Sequence, residues 1–154
     1  MLSGIHPILA GDLLAALDRL GHGDEIAVVD ANFPAHRVAA TGGPSTGASL
    51  VELPGLEAPA VVRAIRTVIP LDEYEAESAL LMAGEGGERL PVQHELVDAA
   101  DAPEHRVGEL ERFAFYARAE GAGLVVRTGE TRVYANLIIR KGVIHAPDSW
   151  EAAR

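Results

Sequence analysis

Short apolar runs alternate with amphipathic stretches along the chain. Leu13, Leu14, Ala16, Leu17 and Leu20 fall at helical spacing after Asp12, which reads as the cap, and Gly21 supplies a stop. The run at 25–29 predicts a buried strand closed by Asp30, and residues 31–36 read as a turn. A Gly/Ser/Thr-rich loop covers 41–47, and 50–53 reads as a short strand. Residues 59–69 predict a helix with Val61, Val62, Ile65 and Ile69 inward, ended by Pro70. A second buried strand is expected at 78–82 and a turn at 84–87. Two helices are expected at 91–100 and 107–120, parted near Pro103. Strands at 124–127 and 136–140 flank a turn at 128–130, and the end from residue 146 reads as a fraying tail. This alternation predicts one α/β domain, with a mixed or mostly parallel sheet and helices packed against it.

Composition narrows the function classes. At 154 residues the chain is one domain's length, and 48% hydrophobic with 23% charged residues is ordinary globular composition. The absence of cysteine excludes a disulfide scaffold, a thiolate zinc site and a cysteine nucleophile. Thirteen basic against 23 acidic residues give a net charge of −10, which argues against nucleic-acid binding. The first residues carry no Lys or Arg ahead of an apolar run, so they do not read as a secretory signal. No run approaches the roughly 20 apolar residues of a membrane helix, and the expectation is a soluble, cytoplasmic protein. Charge is uneven: 72–111 holds 12 acids against Arg89 and Arg106, while 112–141 holds six basic residues against Glu120 and Glu130. Such halves could complement each other between subunits, or could be solvated surface.

Four polar clusters could carry chemistry. His22 stands between two glycines ahead of the first strand, where a titrating imidazole has room to reach a cleft. Asp30 follows that strand, where open α/β sheets place ligand-binding groups. A metal held by His22 and His36 with Asp24 or Asp30 matches no compact ligand spacing, so no metal is expected. Gly21-His22-Gly23 lacks the spacing of a phosphate loop. In residues 112–118, Arg112 and Tyr116 share a helix face and suit a hydroxyl-bearing ligand; the alternative is a core helix with Phe113 or Phe115 inward and its arginines in water. Tyr134 and Asn136, placed on one side of the last strand by alternation, suit hydroxyls equally or form a solvent-facing pair. Asp72 with Tyr74 is a fourth candidate, or ordinary turn chemistry after Pro70.

Taken in order, GHGDEI (21–26), DANFPAH (30–36), IPLDEY (69–74), RFAFYARA (112–119) and TGETRVYANLIIRKGV (128–143) resemble the sugar mutarotase family of L-fucose mutarotase and D-ribose pyranase. RFAFY places the resemblance nearer the fucose branch. It implies a mutarotase-like domain over residues 1–143 with a tail at 144–154. Position by position, it implies His22 as proton donor, Tyr116 and Asp72 as further catalytic groups, and Asp30, Met82, Arg112, Tyr134 and Asn136 as sugar contacts. It also implies a ring-forming homo-oligomer, often a decamer, whose neighbouring subunits complete the site, with no metal or nucleotide cofactor. Ala135 stands where the fucose branch usually has Gly, and residues 41–48 and the tail from Ile144 depart from the family pattern.

The implied reaction interconverts the α and β anomers of L-fucose or a related reducing monosaccharide. Ring opening needs a proton delivered to the ring oxygen and one removed from the anomeric hydroxyl, which an imidazole and an assisted phenol can do. On this reading Arg112, one turn away, assists Tyr116. The alternatives are a non-catalytic sugar-binding or sugar-transport accessory protein, or a D-ribose pyranase-type activity.

Overall fold

The computed structural model describes residues 2–9, 11–41 and 48–145. The expected loop at 41–47, beyond residue 41, and the tail from residue 146 lie outside them.

In chain order the elements are α1 (Asp12–Arg19), β1 (Glu25–Val29), α2 (Ala35–Ala40), β2 (Ser49–Leu53), α3 (Ala58–Arg66) and β3 (Ala79–Met82), followed by α4 (Pro91–Ala100), a 3-10 turn (Glu104–Arg106), β4 (Val107–Leu110), α5 (Arg112–Glu120), β5 (Leu124–Thr128) and β6 (Leu137–Arg140). The six strands form one sheet in the order β2-β5-β1-β6-β3-β4. β2, β5 and β1 pair in parallel, as do β3 and β4. β6 runs antiparallel to both β1 and β3 and joins the two parallel blocks. The sheet is therefore mixed, and its carboxyl-end edge gathers the ends of five strands and the start of β6.

Helices cover both faces. Leu13 and Leu17 of α1, Val62 and Ile65 of α3 and Leu96 of α4 pack with Ile26 and Val28 of β1 in one core. Val38 of α2 and Phe115 and Ala119 of α5 pack with Ala27 and Val29 in the other. β1 is thus buried on both faces, which explains its continuous apolar run. Burying a side chain such as Ile65 or Phe115 stabilises the fold by about 1.5–3 kcal/mol each.

Four local expectations are corrected. Residues 107–120 are not one helix: Val107–Leu110 is strand β4, paired with β3 from Ala79↔Val107 to Met82↔Leu110. Glu111 restarts the chain as a helix by accepting hydrogen bonds from the Phe113 and Ala114 N–H groups at 2.7 and 3.3 Å. The four residues of β4 are too few for alternation to outweigh the helical spacing after them. Gly108 also adds no side chain to the pattern. Residues 31–36 are a turn only as far as Pro34, after which Ala35 opens α2. Asp12 is the first residue of α1 rather than its cap, which is Gly11. The helix expected at 59–69 ends at Arg66.

Candidate functional site

A cavity of about 210 Å³ opens at the carboxyl ends of β1, β3 and β4. Asp30, Met82, Arg112, Tyr116, Tyr134 and Asn136 all line it, together with Asn32, Phe33 and Val133. Six of the eight residues singled out in the sequence therefore converge.

Its floor is the pair Asp30–Asn136. The Asn136 amide donates to Asp30 Oδ2 at 2.7 Å, and its Oδ1 accepts from the Asp30 N–H at 2.9 Å. The Asn32 N–H donates to Asp30 Oδ1 at 2.9 Å. Burial pushes the Asp30 carboxyl above the ordinary aspartate range, against the hydrogen bonds from Asn136, Asn32 and Phe33, and Glu130 adds to the upward push. The Asn136 amide also lies 3.8 Å from the Met82 sulfur.

Tyr134 and Asn136 precede β6 rather than alternating along it. They share the cavity because Tyr134 adopts a left-handed backbone, φ 60°, a conformation that costs a non-glycine residue roughly 1–2 kcal/mol. The Tyr134 hydroxyl donates to Glu85 at 3.2 Å. Partial burial and that carboxylate raise its phenol above the ordinary range.

Tyr116 is wedged edge-on between Phe33 and Phe113, with ring centroids 5.2 and 6.1 Å away. The cation over its ring is Arg37, at 5.9 Å. Arg112, expected to assist Tyr116, instead lies 4.7 Å over Phe113 and among the described residues pairs with no carboxylate. Its fork is left available to a ligand. Phe115 points into the core, as one sequence alternative had it, while Phe113 is 63% exposed beside Tyr116.

His22 and Asp72 lie elsewhere. His22 Nε2 is 3.3 Å from Asp72 Oδ1, and Tyr74 stacks edge-on to the imidazole at 5.5 Å. The His22 side chain is 47% exposed, whereas that of Asp72 is 1% exposed. Burial pushes the Asp72 carboxyl up, but the Tyr74 N–H, the His22 ring and Arg140 outweigh it and hold it below the usual range. This pair sits before β1 and beside the carboxyl end of β6, since the Asp72 N–H donates to the Arg140 carbonyl. Asp30 stands at the other end of β1. The strand between them spans roughly 17 Å at about 3.3 Å per residue. A stiff strand therefore holds His22 and Asp30 of one chain apart.

Sequence reasoning gave no role in the site to three charged residues at the His22 end. Arg118 grips Glu25 through two hydrogen bonds of 2.8 and 2.5 Å, and Arg140 reaches both Glu25 and Asp72. Their signal lies in the pairing of Glu25 with Arg140 across β1 and β6, visible only once strand order is known. Among the described residues no group of three or more His, Asp or Glu side chains could hold a metal ion, and His36 faces Glu52 instead.

Open α/β sheets bind small ligands in crevices at the carboxyl ends of their strands, and the cavity here offers carboxylate, amide, guanidinium and phenol groups. The chain belongs to the RbsD / FucU transport protein family, whose model matches residues 3–144. It is 39% identical over 150 residues to the fucose mutarotase of Homo sapiens, covering 93% of this chain and 94% of that one. It is 38% identical over 148 residues to the L-fucose mutarotase of Actinobacillus pleuropneumoniae serotype 5b (strain L20), covering 93% and 97%. Among solved structures, the fucose mutarotase of Streptococcus pneumoniae in complex with L-fucose superposes with a TM-score of 0.81 at 32% identity, covering 94% of this chain and all of that one.

Proposed function

We propose that the protein is a mutarotase that interconverts the α and β anomers of L-fucose or a closely related monosaccharide. The observation that carries this reading is the cavity around the Asp30–Asn136 pair, in a chain with fucose mutarotases as relatives. Asp30 and Asn136 hold adjacent sugar hydroxyls, each offering a fixed acceptor or donor. The unpaired Arg112 fork and the Tyr134 hydroxyl bind from the rim, and Met82 and Phe33 meet the apolar face of the sugar. His22 exchanges a proton with the ring or anomeric oxygen, and the Tyr116 phenol serves the opposite transfer.

The roughly 17 Å along β1 prevents His22 from reaching a sugar bound beside Asp30 of the same chain. We therefore assign the catalytic imidazole to a second copy, so that the chain works as an oligomer with sites between subunits. Two exposed surfaces fit this assignment. Tyr74, 75% exposed, flanks His22, while exposed Val133 lines the cavity and exposed Phe113 stands edge-on to Tyr116.

Anomeric-exchange NMR on a panel of reducing sugars tests the activity. The wild type should accelerate α/β exchange of L-fucose, and His22→Ala should lose roughly 10²–10⁴-fold of that acceleration. Binding without faster exchange would point to a sugar-binding accessory protein. Co-refolding two inactive variants, His22→Ala and Asp30→Ala, tests the shared site. Random mixing restores both groups at about a quarter of the interfaces, so activity should return to that level. A mixture as dead as its parents would refute the shared site.

A further inference from the structure

We propose that Arg140 is a positioning residue that acts through Asp72: it keeps that carboxylate as an acceptor for His22 Nε2–H, so that Nδ1 is the ring nitrogen offered to the sugar. The inference rests on the reading of His22 as the proton-transfer group and adds the residue and the ring atom behind it.

Asp72 is fixed to β6 twice. Its N–H donates to the Arg140 carbonyl at 3.0 Å, and its Oδ2 lies 3.1 Å from Arg140 Nε. Its Oδ1 accepts the Tyr74 N–H at 2.9 Å and lies 3.3 Å from His22 Nε2. A carboxylate between a guanidinium and an imidazole has acceptors only, so the imidazole nitrogen facing it carries the proton. That leaves the lone pair of a neutral ring on Nδ1.

Arg140 is held in turn. Its Nη1 is 3.5 Å from Glu25 and its Nη2 is 3.7 Å from Glu75, while Arg118 anchors Glu25 from α5. Charge alternates in sign from Arg118 through Glu25 and Arg140 to Asp72, ending at the imidazole. Gly23, next to His22, has φ +86°, a backbone conformation that L side chains rarely adopt, and its backbone runs beside the Arg140 guanidinium.

Arg140 Nε and Asp72 Oδ2 make no directed hydrogen bond with each other or with any other group among the described residues. Their contact is one of charge more than of direction, so a lysine should replace the arginine better than a neutral residue of similar size.

The test joins nitrogen-15 NMR of labelled histidine, at a pH of about 8.5 where imidazole is neutral, to the anomeric-exchange assay. In the wild type His22 should show a protonated Nε2 and a bare Nδ1. In Arg140→Gln the two signals should move toward a mixture of tautomers, and exchange should slow about 10²-fold, as expected when a reacting group is misplaced by about an ångström. Arg140→Lys should restore most of both. A wild-type ring protonated on Nδ1 overturns the proposal, even if Arg140→Gln fails to fold. So does an Arg140→Gln protein with an unchanged His22 tautomer, whatever its activity. If the tautomer follows Arg140 while the wild type exchanges no sugar, the positioning link stands and the catalytic reading of His22 falls.

Discussion

Asp30 and Asp72 are buried carboxylates at opposite ends of β1, and their surroundings push them in opposite directions. Asp72 is held below its ordinary 3.8, so its contribution to stability is complete above that value and is lost as the pH falls through the lower folded-state value. Asp30 is raised, so the unfolded chain ionises first and stability declines as the pH climbs from 3.8 to the higher folded-state value. Urea unfolding between about pH 2.5 and 5 should therefore show the wild type's advantage over Asp72→Asn growing with pH and its advantage over Asp30→Asn shrinking. Asp30→Asn should also cost at least tenfold in L-fucose affinity by titration calorimetry, about 1.4 kcal/mol. The asparagine has one acceptor oxygen for two donors, Asn32 N–H and Asn136 Nδ2. Single residues were the most legible part of the sequence: Asp30 and Asn136 are polar groups beside apolar runs, and His22 stands between two glycines. The partners that set their state were not, since Arg140 and Glu25 are 115 positions apart along the chain.

The elements show where local pattern was enough. β1, β3 and β5 read correctly because strands buried on both faces are continuous apolar runs. β4 and α2 were missed because each is too short to establish a period, and each is defined by what it packs against. α5 carries Arg112 and Tyr116 to the cavity and is fixed by Phe115, fully buried and edge-on to Phe33 at 6.0 Å. Phe115→Ala should cost about 3–5 kcal/mol in denaturant unfolding and weaken sugar binding through the displaced helix. Turn geometry matters too. A Cβ on Gly129 would overlap the Pro54 carbonyl oxygen. Gly129→Ala should therefore destabilise by at least about 1–3 kcal/mol, read as a lower melting temperature with the cavity residues untouched.

At the scale of the whole molecule, the uneven charge resolves mostly within the chain. Arg118 pairs with Glu25, Arg127 with Glu52, Arg132 with Glu95 and Glu130, and Arg140 with Asp72. The basic final third is thus largely spent on internal partners. Periodicity gave the α/β class but not the lone reversed strand β6, because pairing direction leaves no trace in a four-residue apolar run. That strand brings Asn136 to one end of the sheet and Arg140 to the other. β1 likewise sets His22 and Asp30, eight positions apart in the chain, at opposite ends of one strand.

The length of β1 carries a kinetic consequence. If no isolated chain holds a whole reaction centre, turnover per chain is not a constant of the protein. It should decline on dilution below the concentration at which copies associate, and recover when the solution is concentrated again. A plot of rate against total protein should then bend upward from the origin.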